Sequence, residues 1–259
     1  MFEAKFEQAA LFKKIIDAIK DTTSLCNFNC TEHGITVQAV DDSRVLLISL
    51  LIGSDCFQSY RCDKSITLGM DMSNLSKVLK TGNANDSLTL MAEDSPDSLL
   101  IVFEESEKSK ISEYTLKLMD IESDYFNIDD IEQDSLITLP ASEFQKTVKD
   151  LSQISDSLAI LVTKDTIKFH VKGEMGDGDV ILKPAVDLEN TDNSVKIELN
   201  KAVNLNFGIK YILDIIKGSS LAPAITIKLT DQNPALFEFK LSSGYLRFYL
   251  APKFEEDEE

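Results

Sequence analysis

The sequence predicts an α+β protein made of two similar domains, with the helices of each packed on one face of antiparallel sheet. The first observation is that the chain repeats itself. Residues 9–20 (AALFKKIIDAIK) are echoed by residues 141–153 (ASEFQKTVKDLSQ), and Gly34-Ile-Thr-Val37 by Thr166-Ile-Lys-Phe169, at one shared offset. Leu75-Ser-Lys-Val-Leu-Lys80 then returns as Ile212-Leu-Asp-Ile-Ile-Lys217, and Leu88-Thr-Leu90 as Ile225-Thr-Ile227, at a slightly longer one. Two offsets in order mean a duplicated domain with a small insertion. The second observation is many short strand-like runs beside only four helical ones, the pattern of an α+β fold. A length of 259 residues divides into two domains of ordinary size.

The helices are predicted at 9–20, 72–80, 141–153 and 209–217. Their apolar residues recur at helical spacing: Phe12, Ile15, Ile16 and Ile19; Met72, Leu75 and Leu79; Phe144, Val148 and Leu151; Ile209, Ile212 and Ile216. Asp71 and Pro140-Ala-Ser-Glu143 open the second and third helices. Gly82 and Gly218 follow the second and fourth, where a left-handed terminating residue is expected. Strands are predicted at 45–52, 65–70, 87–91, 99–103 and 111–118, and again at 158–162, 166–171, 179–182, 195–199, 225–229, 236–241 and 245–250. Turn signals separate them: His33-Gly34, Gly82-Asn83, Asp94-Ser-Pro-Asp97, Gly176-Asp-Gly178, Asp231-Gln-Asn-Pro234 and Ser243-Gly244.

The organisation expected is a first domain over 1–119, a linker over 120–134, a second domain over 135–254 and an acidic tail over 255–259. The linker carries seven acids and no base, Gly or Pro, together with Ile121, Tyr125, Phe126, Ile128 and Ile131. Its charge keeps it extended. Its apolar residues are expected to pin it to its own domain or, for some of them, to stay partly exposed for a partner, and the two are compatible.

Several chemistries find no support. The longest apolar run, 45–52, is broken by Ser49 and too short to span a bilayer. The first residues lack the basic and apolar regions of a signal peptide, so an intracellular place of work is expected. Cys26-x3-Cys30 and Cys56-x5-Cys62 could be read as zinc ligands, but four thiols in strand-like segments are expected to be reduced and buried. His33 and His170 are expected to be structural. Gly173-Glu-Met-Gly-Asp-Gly178 lacks the Gly-Lys-Ser/Thr of a phosphate loop and reads as a hairpin turn. Asp41-Asp42 is a weak metal candidate. Nothing argues for an enzyme or a cofactor.

The charge is informative in its distribution. The net charge is −18, yet the four predicted helices carry nine bases against four acids. Lys13 and Lys20, Lys210 and Lys217, Lys77 and Lys80, and Lys146 and Lys149 are spaced to share one helix face, away from the apolar stripe. Equivalent helices with this bias in an acidic protein predict a basic track for phosphate backbone, without base readout. No aromatic is interleaved with the lysines, which disfavours single-strand stacking.

Beyond these patterns, particular stretches carry a resemblance. Met1-Phe-Glu-Ala4, Phe12-Lys-Lys14, Val37-Gln-Ala-Val-Asp41, Tyr60-Arg-Cys-Asp63, Leu75-Ser-Lys-Val-Leu-Lys80, Ala92-Glu-Asp94, Lys117-Leu-Met-Asp120, Asp150-Leu-Ser152, Gly173-Glu-Met-Gly-Asp-Gly178 and Tyr249-Leu-Ala-Pro-Lys253 with its acidic tail run essentially end to end. In these the chain resembles the eukaryotic proliferating cell nuclear antigen family of DNA sliding clamps. The resemblance implies the DNA-clamp fold: a homotrimeric ring, helices lining the hole, antiparallel sheets outside. It implies encircled double-stranded DNA, held without sequence preference. Partners would be DNA polymerases, a clamp loader and other replication and repair proteins bearing Gln-x-x-aliphatic-x-x-aromatic-aromatic peptides. The location would be the nucleus.

Residue by residue, the resemblance implies DNA-facing roles for Lys13, Lys14, Lys20, Arg61, Lys77, Lys80, Lys110, Lys146, Lys149, Lys210 and Lys217. It implies a partner surface at Val40, Arg44, Val45, Leu47, Phe126, Ile128, Tyr249, Pro252, Lys253 and Phe254. Lys164 matches the family's ubiquitin or SUMO acceptor. Arg44 stands where a His is frequent, Val40 where a Met is, and the linker reads Phe126-Asn-Ile-Asp129 where animal members have Leu-Gly-Ile-Pro. A subunit of a heterotrimeric checkpoint clamp would share the fold, and a metal-dependent nuclease would need a carboxylate cluster.

Overall fold

The computed structural model describes residues 1–105, 109–122, 126, 128, 133–187, 193–231 and 233–253. The chain divides into two compact units, Met1–Asn127 with Lys240–Leu246, and Ile128–Phe239 with Arg247–Glu259. In the first, the elements run β1 (Phe2–Phe6), α1 (Ala10–Ile19), β2 (Leu25–Thr31), β3 (Gly34–Val40), β4 (Leu46–Gly53), β5 (Ser59–Cys62), β6 (Ile66–Asp71), α2 (Met72–Leu79), β7 (Ser87–Ala92), β8 (Ser98–Glu104) and β9 (Ile111–Lys117). The rest of the chain runs β10 (Ser135–Pro140), α3 (Ala141–Leu151), β11 (Ser157–Val162), β12 (Ile167–Gly173), β13 (Gly176–Leu182), β14 (Lys196–Leu199), β15 (Val203–Gly208), α4 (Ile209–Ile215), β16 (Ala224–Leu229), β17 (Ala235–Leu241) and β18 (Gly244–Leu250).

The two series match element for element. Strand order β5-β1-β7-β8-β9 corresponds to β14-β10-β16-β17-β18, and β4-β3-β2-β6 to β13-β12-β11-β15. Neighbouring strands run antiparallel; β1 for example pairs β7 from Phe2↔Ala92 to Phe6↔Leu88. The duplication legible in the sequence is therefore a duplication of topology.

Each helix buries its stripe. Every apolar residue named above on the four helices is at most 4% exposed, and sealing such side chains from water drives the packing, at about 25 cal/mol per Å² of apolar surface. Phe12 of α1 meets Phe6 at 5.4 Å and Phe28 at 6.4 Å, centroid to centroid. Its repeat counterpart, Phe144 of α3, meets Phe169 at 5.9 Å and Phe237 at 6.1 Å. Both cores are centred on the same helix position. Among the described residues no helix is long and apolar enough to cross a membrane.

Three local expectations are corrected. Gly82 and Gly218 do not take the left-handed conformation; they make room. A Cβ on Gly82 would lie 2.2 Å from Phe103 Cδ1, and one on Gly218 2.5 Å from Phe239 Cε2. The last turn of the fourth helix tightens instead into a 3₁₀ turn at Ile216–Ser220. Asp71 does cap α2, accepting from the Asn74 N–H at 2.8 Å, but no side chain caps α3. Pro140 ends β10 there, and the Ala141 N–H is satisfied by the Pro223 carbonyl at 2.9 Å. Finally, Gly176 and Gly178 lie within β13 rather than in a turn; the hairpin reverses at 174–175 and closes on Gly173↔Gly176.

Candidate DNA-facing helices and partner pocket

α1 packs beside α2 in the first unit, and α3 beside α4 in the second. With the apolar stripes turned inward, the lysines face outward. Lys14, Lys77, Lys80, Lys146, Lys149 and Lys210 are exposed. The remaining three are engaged. Lys13 is half-buried and donates to the Gly82 carbonyl at 2.6 Å. Lys20 donates to Asp17 at 2.6 Å and Lys217 to Asp214 at 2.7 Å, both pairs three residues apart. Such exposed or half-exposed pairs contribute little to stability. They do reduce the charge these two lysines present. One expectation about aromatics is corrected: the Lys210 ammonium sits 4.5 Å from the centroid of the adjacent Tyr211 ring.

Arg61 lies on β5 rather than on a helix, and its guanidinium forks onto Asp63 at 2.8 and 2.9 Å. The Asp63 bonds hold that guanidinium above its ordinary pKa. Lys110 is exposed just before β9.

The linker side of the first unit is built on β3, β4 and the turn between them. Alternation along β3 puts Thr36, Gln38 and Val40 on one face. The turn from 41 to 45 is closed by Asp41. Its Oδ1 accepts from the Val45 N–H at 2.8 Å and the Leu46 N–H at 2.7 Å, while its Oδ2 accepts from the Ser43 N–H at 3.1 Å. Arg44, at φ 57, is a non-glycine residue with positive φ in this turn, and the Asp41 bonds on either side hold it there. Burial pushes the Asp41 carboxyl up, but the Ser43 hydroxyl and the backbone donors outweigh it and hold it below its ordinary range. Asp41 thus serves the turn, and among the described residues no cluster suited to a metal ion occurs.

Val45, Leu47, Val40 and Phe126 are half-buried, leaving apolar surface in reach of solvent. Beside them a cavity of about 220 Å³ is lined by Leu25, Asn27, Gln38, Val40, Arg44, Ile121 and Phe126. Gln38 and Asn27 were not anticipated as functional. Period-two alternation places Gln38 next to Val40, but nothing in a single sequence says what an amide will bond.

In the second unit, Ile128 and Pro252 are half-buried and Lys253 exposed, while Tyr249 is only 7% exposed. The Lys253 N–H donates to the Asn206 carbonyl at 2.7 Å and its ammonium to the Ser157 hydroxyl, fixing the segment after β18. Phe254, Tyr125 and Ile131 lie outside the described residues.

Residues 1–126 match the N-terminal domain of the family described as proliferating cell nuclear antigen, and residues 127–254 match its C-terminal domain. A proliferating cell nuclear antigen of Saccharomyces cerevisiae is 56% identical over 258 residues, covering 100% of each chain. One of Chaetomium thermophilum is 44% identical over 259 residues, again covering 100% of each. The chain belongs to this family.

The function follows from membership. The chain is a DNA sliding clamp: a homotrimeric, non-enzymatic scaffold that surrounds DNA and serves polymerases and other replication and repair proteins. Cys26 and Cys30 are buried, and burial pushes the Cys26 thiol up to about 12. Cys56 and Cys62 are only half-buried, against expectation. His33 is exposed, and His170 bonds Asp179 across the β12–β13 pair at 2.6 Å.

Proposed function

We propose that the lysines of α1 to α4 form the surface that rides on duplex DNA, and that the faces carrying Val40, Arg44, Val45, Leu47 and Phe126, and Ile128, Tyr249, Pro252, Lys253 and Phe254, receive partner peptides. The observation that carries the first part is exposure of Lys14, Lys77, Lys80, Lys146, Lys149 and Lys210 on topologically equivalent helices in a chain of net charge −18. Lysine ammoniums contact phosphates as mobile point charges and release counterions, so binding is sequence-independent and falls steeply with salt. Lys13, Lys20, Lys110, Lys217 and Arg61 are secondary members of the same surface. The test is topological: the ring should persist on closed circular duplex and slide off once the circle is cut.

For partners, half-exposed apolar side chains beside a shallow cavity suit Gln-x-x-aliphatic-x-x-aromatic-aromatic peptides, whose apolar side chains need a dry seat. Calorimetry with one such peptide on the parent ring and on Phe126→Ala tests this; equal affinity would place the site elsewhere. Lys164 is exposed between β11 and β12, open to an isopeptide bond with ubiquitin or SUMO. Domains over 1–119 and 135–254, joined by a linker over 120–134 and followed by a tail over 255–259, would carry these roles, in the nucleus.

A further inference from the structure

The side chain of Gln38 holds both backbone polar groups of Phe126. Its Nε2 donates to the Phe126 carbonyl and its Oε1 accepts from the Phe126 N–H, each at 3.0 Å. A primary amide used this way does what the peptide group of a neighbouring strand would do. Asn27, itself buried, donates from Nδ2 to the Ile121 carbonyl at 2.8 Å. The Met119 N–H donates to the Gly69 carbonyl at 2.9 Å. No larger residue fits at Gly69, because a Cβ there would lie 2.1 Å from the Met119 carbonyl oxygen. Gly69, Asn27 and Gln38 sit on β6, β2 and β3, which are neighbours in that order. The end of the first domain and the start of the linker are therefore fastened to three successive strands, at 119, 121 and 126.

The geometry points to Gln38, seconded by Asn27, as a positioning residue for partner docking. This rests on the reading of the Phe126 face as the partner site. A seven-acid linker left to itself would be extended and mobile, and a peptide binding to it would bear the cost of ordering it. The clasp removes that cost beforehand. It sets the Phe126 backbone by a reciprocal pair of bonds and leaves the side chain half-exposed beside Val40.

The experiment uses the full-length trimer and one synthetic peptide of the class above, in two readouts. One is amide hydrogen exchange of residues 119–126 in the free ring. The other is peptide affinity by calorimetry. Gln38→Ala is expected to speed exchange at the Phe126 N–H and weaken the peptide about tenfold, the size of losing one or two such bonds, with trimer mass unchanged. Gln38→Glu separates positioning from packing. Its carboxylate can accept from the Phe126 N–H but cannot donate to the carbonyl. It should fall between the Ala variant and the parent at pH 7.5, and regain affinity relative to the Ala variant as pH falls toward 4.5, close to the ordinary carboxyl value of about 4.3 at which the proton returns. Phe126→Ala is the control for the site. If Phe126→Ala weakens the peptide while Gln38→Ala changes neither exchange nor affinity, the clasp is overturned and the site stands. If Phe126→Ala itself has no effect, the site reading fails. If Gln38→Glu shows no recovery at low pH, the donor bond does not position the linker.

Discussion

Strands β4 and β13 hold the same place in the two repeats and meet different fates. The outer edge of β4 is occupied within the first unit: the Gly53 N–H donates to the Ser243 carbonyl at 2.7 Å, and Gly244 lies so close that a Cβ would stand 2.0 Å from the Leu51 carbonyl oxygen. β13 has β12 on one side and no strand on the other among the described residues. The topological counterpart of the segment that covers β4 is β9, and among the described residues β9 has only β8 beside it. The two open edges are not equivalent. They are complementary ones: a β18-type end and a β4-type end, one of each per chain. Unpaired edges of that kind join head to tail, and a head-to-tail contact that closes makes a ring. β4 is the covered edge, and among the described residues β9 and β13 are the open ones.

The largest expected effect is on that open junction. Ile111 and Ile181, on β9 and β13, are 58% and 53% exposed in the single chain. Aspartate at either should prevent closure, since loss of a central apolar anchor costs roughly 2 kcal/mol or more and a buried charge adds to it. Light scattering should fall from three copies toward one copy of 28.9 kDa. A trimer that survives Ile181→Asp would break the comparison.

The same insult at the covered junction should read out differently. Gly244→Ala puts a side chain at φ +132 against the Leu51 carbonyl. Strained backbone of this kind costs about 1–3 kcal/mol, and the close approach adds more. The melting temperature should fall while the native mass remains that of a trimer. Loss of mass without loss of melting temperature would mean that the two junctions are not analogous.

How much of the fold is legible in the sequence depends on the length of the pattern. The helices are legible because apolar residues repeated over several turns separate a period of 3.6 from one of 2. Phe2–Phe6 and Ser135–Pro140 alternate buried and half-buried without a fault, yet neither is predicted. Three apolar positions in five or six residues are too few to fix a period. Gly82 and Gly218 are placed correctly after their helices and misread in purpose, because a glycine there serves conformation or clearance equally, and Phe103 and Phe239 are far away in sequence. The helix lysines can be found because charge is a property of residue type. The Gln38–Phe126 pairing cannot, being a fact about two distant segments.

A third effect sharpens the comparison between the helices of the two repeats. Lys77 and Lys80 on α2 and Lys146 and Lys149 on α3 are all exposed. Changing all four to Glu should weaken binding to linear duplex at least tenfold and lower the salt slope by about 0.9 for each phosphate that is no longer neutralised, leaving mass and melting temperature nearly unchanged. Changing only the α2 pair, or only the α3 pair, should give about half the change in slope. A quadruple variant that binds duplex and supports processive synthesis like its parent would remove the basic track from the function.

The smallest effect returns to the turns that precede β4 and β13. The first is held by a carboxylate, Asp41, and the second is a tight reversal closed by Gly173↔Gly176. Because the folded-state pKa of Asp41 is lowered, its contribution is fully present above the unfolded carboxylate value of about 3.9 and is lost as pH falls through the folded value. Nothing should change between pH 8 and 5. Below about pH 4 the Val45 and Leu46 amides, which donate to the Asp41 carboxylate, should lose protection factor in hydrogen exchange, while the amides of the 173–176 turn should not. Asp41→Asn removes the charge at every pH, so its Val45 and Leu46 amides should show lower protection already at pH 6, with no further step near pH 4. The stabilisation is small because the carboxylate is partly exposed and screened. If the two turns respond alike to acid, the carboxylate is not what holds Arg44 at positive φ, and the first turn is set by its strands alone.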